Sequence, residues 1–169
     1  QSGETHMMRK VSVGLMVLAS AAVLAQPAAA QGYGAGYMDV GPVIGFGGLG
    51  SGSSIDIGGR FEKALKPIPS LGGGLLGIQI GGDYYSYGNS DYSIKVIFIQ
   101  GTVNYHFKLA DPKLDPFVGI GLGYQHVSCP DIGGFGNLCS GSAIGFVGRA
   151  GARYFFTPKM AAYGEVGTS

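Results

Sequence analysis

Charge is scarce in this sequence: Asp, Glu, Lys and Arg make up 12% of it, about half the share usual in a soluble domain. Outside residues 1–30, nine basic and nine acidic side chains remain, and the formal net charge is zero. A chain without a surplus of positive charge has no concentrated basic face, which argues against a nucleic-acid partner. Cysteine is nearly absent too. Cys129 and Cys139 are the only two, and no CxxC pair exists to suggest a structural zinc site. Long hydrophobic runs are also missing. The one continuous apolar stretch, 11–24, has 14 residues; at about 1.5 Å of rise per residue it falls short of a bilayer core of roughly 30 Å. No apolar stretch after Gln31 is long enough for a transmembrane helix.

That short apolar stretch has a different use. Residues 1–6 precede the first methionine and read as upstream or scar residues. From Met7, Arg9 and Lys10 supply a positive start, 11–24 an apolar centre, and Ala28, Ala29 and Ala30 the small residues of a cleavage site. Residues 7–30 are therefore expected to be a secretory signal peptide, cut before Gln31, leaving 31–169 as one domain. No cysteine stands at the cleavage point, so a lipid anchor is not expected. An exported chain makes a Cys129–Cys139 disulfide the natural reading; the rival is a metal site on His126, Cys129 and Cys139.

The mature part holds 31 glycines, about three times the usual frequency. They alternate in register with large apolar residues, which marks strands with two different faces. Seven such runs are visible, at 37–47, 54–65, 71–84, 92–107, 116–127, 142–156 and from 160 onward. In the second, Ile55, Ile57 and Phe61 alternate with Asp56, Arg60 and Glu62. In the fifth, Val118, Ile120, Leu122 and Tyr124 alternate with Gly119, Gly121, Gly123 and Gln125. The fourth breaks the rule at Val96 and Phe98, which demands a bulge or a partly apolar interior there. Short proline-bearing turns at 66–70, 109–115 and 157–159 alternate with glycine- and serine-rich loops at 48–53, 85–91 and 128–141. Short turns at one end and longer loops at the other is the layout of outer-membrane barrels.

The same alternation could belong to a soluble sandwich or lipocalin-like barrel with its apolar face inward. Three features favour the inverted arrangement, apolar toward lipid and polar toward the lumen: the glycine-rich polar face, the scarcity of charge, and aromatics gathered toward strand ends. Tyr84 and Tyr124 would stand near the outer loops, with Phe61, Tyr105, Phe107, Tyr154 and Phe156 near the periplasmic turns. The expected fold is an all-β, transmembrane, antiparallel up-and-down barrel. Eight strands are expected, about seven of them present, because bacterial barrels have even strand counts and lipid cannot satisfy an open edge.

Three segments carry a resemblance: GTVNYHF at 101–107, DPFVGIGLGY at 115–124 and GRAGARYFFTP at 148–158. With the leader and the alternating strands, they resemble the small outer-membrane β-barrel superfamily, which includes the transmembrane domain of outer membrane protein A and porin-like relatives. The resemblance spans nearly the whole mature chain and implies residence in the outer membrane of a Gram-negative bacterium. Its degenerate motifs imply fold more than activity, and they leave open whether a final strand or a periplasmic domain lies beyond Ser169.

The inward charges carry the sharpest expectation. Asp39, Asp56, Glu62, Asp83 and Glu165 are expected to meet Arg60, Arg149 and Arg153, with Gln79, Gln100, Asn104 and His106 bridging. An eight-stranded barrel is just wide enough to be filled by side chains, and buried charge needs partners. The expected role is structural or surface interaction: envelope integrity, adhesion or surface protection. A narrow passive pore is the alternative, and a lipid-modifying enzyme a further one. Partners are membrane lipid and, through the outside loops, host or surface ligands; the expected state is a monomer. No cofactor or metal is expected. The GFGGLG string at 45–50 is followed by a polar loop and another strand, not a helix, so it does not support nucleotide binding. His106 has no serine nucleophile identifiable near it, so no catalytic residue is assigned.

Overall fold

The computed structural model describes residues 32–47, 54–88, 93–130 and 140–168. The segments at 1–6 and 7–30 expected to be upstream residues and a leader, the cleavage expected before Gln31, and Cys139 lie outside the described residues. Seven strands run in succession: β1 (Met38–Gly47), β2 (Ser54–Ile68), β3 (Gly74–Gly88), β4 (Ser93–His106), β5 (Leu114–Ser128), β6 (Gly141–Thr157) and β7 (Met160–Thr168). They form one antiparallel sheet in strict sequence order, β1-β2-β3-β4-β5-β6-β7. No helix is long and apolar enough to cross a membrane among the described residues.

The sheet curls so that its first and last strands share contacts through the interior. Val43 of β1, Phe117 of β5 and Tyr163 of β7 form one buried cluster, and Arg60 of β2 bonds Glu165 of β7. Even so, β1 has a ladder only with β2, and β7 only with β6, among the described residues. The two strand edges therefore face a seam. A cavity of ≈ 30 Å³, enough for one water, lies there between Asp39 and Gly41 on one side and Ala161 and Tyr163 on the other.

The faces are inside out. Asp56, Arg60, Glu62, Asp83, Arg149, Arg153 and Glu165 are buried, while Ile44, Ile57, Ile80, Ile99, Leu122 and Phe156 are exposed. Ile120 is 76% exposed and Phe146 87%, whereas Glu62 is 0%. A water-soluble fold would reverse this pattern, since burying charge costs free energy and an exposed apolar belt costs more. A bilayer around the belt resolves the second, and pairing inside the lumen has to offset the first.

Glycine makes the narrow lumen possible. A Cβ on Gly119 would collide with the side chain of Asn104, and one on Gly123 with the ring of Phe98 and with Val147. The glycine column of β5 is therefore the space into which the side chains of β4 extend. Val96 and Phe98 are buried, and the registers of β4 with β3 and with β5 pass through them without a shift. A partly apolar interior, not a bulge, accounts for the break in alternation. Register shifts occur elsewhere, at Ala64/Pro67 and Phe155/Thr157; the first stands beside prolines that cannot donate to a ladder.

Several strand boundaries differ from the sequence reading, the largest differences falling at the end of β2 and at both ends of β3. The turn expected at 66–70 is still strand up to Ile68, with a short 3-10 turn at Pro69–Leu71 after it, and β3 begins at Gly74. Phe61 consequently stands at the centre of β2 rather than near a turn. Other outward aromatics keep to strand ends: Tyr105 and Phe107 at one end of β4, and Tyr154 and Phe156 at the same end of β6.

Candidate functional site

Among the described residues charged side chains converge in the lumen, and its two halves are built differently. The end that bears the short turns is the turn end; the opposite end carries the segments at 48–53, 89–92 and 131–139 and is the loop end. At the turn end, inward positions of β2, β4, β5 and β6 bring Glu62, His106, Asp115 and Arg153 together, because period-two alternation aims every second side chain inward. Arg153 Nη2 pairs with Glu62 Oε2, its Nε lies 3.4 Å from Asp39 Oδ2, and its Nη1 lies 3.5 Å from Asp115 Oδ2. His106 Nε2 contacts Glu62 Oε1 at 2.7 Å, and its Nδ1 contacts Asp115 Oδ1 at 3.0 Å. Ionised carboxylates can only accept hydrogen bonds, so with Glu62 and Asp115 both ionised both ring nitrogens donate and the ring is an imidazolium.

Glu62 gathers further donors. Asn104 Nδ2 gives a hydrogen bond to Oε1 at 3.0 Å, Gln79 Nε2 to Oε2 at 3.2 Å, and the Tyr33 hydroxyl to Oε1 at 3.1 Å. Tyr33 belongs to the segment that leads into β1. Its ring stacks on His106 at 3.7 Å, and the Arg153 guanidinium lies 5.0 Å from the centre of the same ring. Tyr37 closes the same end, edge-on to Phe155. Burial, and after it the neighbouring Glu62, pushes the Tyr33 phenol up; burial and then Asp39 push that of Tyr37 up to about 12. Both therefore stay neutral, and the Tyr33 hydroxyl donates to Glu62.

Toward the loop end, Arg60 Nη1 pairs with Asp83 Oδ1 at 2.6 Å, and its Nη2 with Glu165 Oε1 at 3.1 Å. Arg149 Nη1 meets Glu165 Oε2 at 2.9 Å and also bonds Gln79, while its Nη2 bonds Gln100. Gln100 Nε2 donates to Asp83 Oδ2 at 3.3 Å. Asp56 lies beyond this layer, 2% exposed, and neither of its oxygens has a hydrogen-bond partner among the described residues.

All eight charged residues expected inside the lumen thus face it. Seven take part in ion pairs, and Asp56 stands apart. Sequence reasoning missed Asp115, which it assigned to a turn, and Tyr33. Extending the fifth run one residue back would have placed Asp115 on the inward face with Phe117. Nothing in the alternation pointed to Tyr33, which precedes the first strand. His126 reaches Ser142 at 2.9 Å at the loop end. The Cys129 N–H donates to Ser140 Oγ at 3.1 Å, which brings the two ends of the third loop together; no described cysteine is free. Among the described residues no three His, Cys, Asp or Glu side chains converge as a metal site.

The turn-end cluster locks β2, β4, β5 and β6 together across the lumen. His106 is buried with both nitrogens occupied, so it has no lone pair with which to take a proton. The family model of the outer membrane protein beta-barrel domain matches residues 14–169. A search of curated proteins finds no match to the chain.

Proposed function

The chain belongs to the outer membrane protein beta-barrel domain family, and from that premise we propose that this outer-membrane barrel protein is non-conducting and non-enzymatic, with a structural or surface-interaction role. The observation that carries this reading is Glu62, which draws donors from four parts of the barrel: Gln79 of β3, Asn104 and His106 of β4, Arg153 of β6 and Tyr33 before β1. Charges paired across the lumen leave no continuous water path at that level. The useful surface is then the loop end, where the third connection is closed by a Cys129–Cys139 disulfide. The leader directs export and is cut before Gln31, and the seam between β1 and β7 is closed by one more strand, as lipid requires.

Planar-bilayer recording tests the reading. The wild-type chain should give no stable conductance, and Arg149→Ala should lower stability while staying silent. Steady conductance from the wild type, or a rise in Arg149→Ala with stability unchanged, supports a narrow pore instead.

A further inference from the structure

The lumen does not balance its own charge. Among the described residues six carboxylates face inward, Asp39, Asp56, Glu62, Asp83, Asp115 and Glu165, against three guanidiniums, Arg60, Arg149 and Arg153, and the imidazolium of His106. Two negative charges are left over. No lysine offsets them, since Lys63, Lys66, Lys95, Lys108, Lys113 and Lys159 are all exposed.

The surplus is one charge in each half, and the halves handle it differently. At the turn end every carboxylate has a cationic neighbour, and neutral donors from Asn104, Gln79 and Tyr33 spread the excess. Toward the loop end Asp83 and Glu165 take the ion pairs of both Arg60 and Arg149; Arg149 Nε stays without an acceptor, and among the described residues no donor reaches Asp56. Its neighbours are placed for a ligand. Gly58 lies between Asp56 and Arg60 on the inward face of β2, and the position its Cβ would fill is taken by Asp83 Oδ1. The Asp83 carboxylate therefore leans along β2 between the arginine it binds and the aspartate that has none. Tyr85 stands directly across the ladder from Asp56, and its hydroxyl accepts from Gln125 Nε2 at 3.1 Å.

A buried carboxylate with neither oxygen satisfied is costly unless a counter-charge joins it. We propose that the loop end of the lumen binds one hard, oxygen-seeking cation on the carboxylates of Asp56 and Asp83. Two carboxylates and neutral oxygens suit Na⁺, K⁺ or Ca²⁺, which accept oxygen ligands in loose geometry and retain water, and do not suit a soft metal. The proposal rests on the packed-lumen reading only for the low water content that makes the unpaired charge costly.

The test uses the full chain folded in detergent micelles, with two readouts. Tb³⁺, a probe for hard-cation sites, should show tyrosine-sensitised emission that Ca²⁺ displaces and Asp56→Asn abolishes. The midpoint of thermal unfolding should rise in Na⁺ or Ca²⁺ relative to N-methylglucamine at equal ionic strength, and this dependence should vanish in Asp56→Asn. Removing an unpaired charge leaves the fold intact; Asp83→Asn serves as a second variant and should weaken the Tb³⁺ signal. Equal emission from the wild type and Asp56→Asn overturns the proposal. So does the absence of any small-cation effect together with an infrared carboxylic-acid band lost in Asp56→Asn, because a proton then neutralises the site. Conductance of the wild type would sink the non-conducting reading and leave these outcomes separately readable.

Discussion

The two halves of the lumen use the same residue types to opposite effect. At the turn end Glu62, His106, Asp115 and Arg153 pair with one another, Arg153 Nη1 lying within ion-pair reach of Asp115 but without a hydrogen bond among the described residues, and Tyr33 and Tyr37 are laid over them. Toward the loop end Val96, Phe98 and Val147 enter the interior, β5 contributes Gly121 and Gly123, and Asp56 keeps an unanswered charge. The difference shows what holds a narrow barrel together. A buried charge stabilises only as a member of a complete set, and the same carboxylate outside such a set is a liability that points to a ligand.

The comparison can be broken most forcefully at Arg153. Replacing it with Ala strips Glu62, Asp39 and Asp115 of a shared cation and should cost about 3–5 kcal/mol, measured by urea unfolding from lipid vesicles. A loss no larger than that of an exposed surface substitution would mean that the turn-end lock does not exist. Tyr33→Phe sharpens the same half. It keeps the stack on His106 and removes one hydrogen bond to an ionised group, so the expected loss is about 1.5–3 kcal/mol; no change would show that the segment before β1 merely rests on the barrel. In the apolar half the effect should be smallest. Phe98→Leu conserves most of the volume, leaves every ion pair in place, and should cost less than about 1.5 kcal/mol. A larger loss would mean that the loop end is packed as tightly as the turn end.

Much of this arrangement was legible in the sequence. Alternation assigned the lumen-facing side of Asp56, Arg60, Glu62, Asp83, Arg149, Arg153 and Glu165, because a period of two leaves a side chain only two directions. What alternation cannot supply is pairing, which depends on strand curl and on who faces whom across the lumen. Arg60 meets Glu165 from 105 positions away, and no local pattern encodes that contact. Asp115 was hidden by the proline beside it, which reads as a turn although a strand can start there. Tyr33 was hidden because it belongs to no strand. Val96 and Phe98 were visible as an exception, but choosing between bulge and apolar interior needed the ladder register.

Unfolding free energies of Glu62→Gln and Asp56→Asn, taken in the same vesicles in N-methylglucamine, test the account most directly. Both variants remove one buried negative charge and keep nearly the same shape. The account predicts that Glu62→Gln loses several kcal/mol, on the order of 3–5, because Arg153 and His106 are left without their shared partner, while Asp56→Asn is unchanged or more stable. Equal losses in the two variants, or a loss confined to Asp56→Asn, would contradict it.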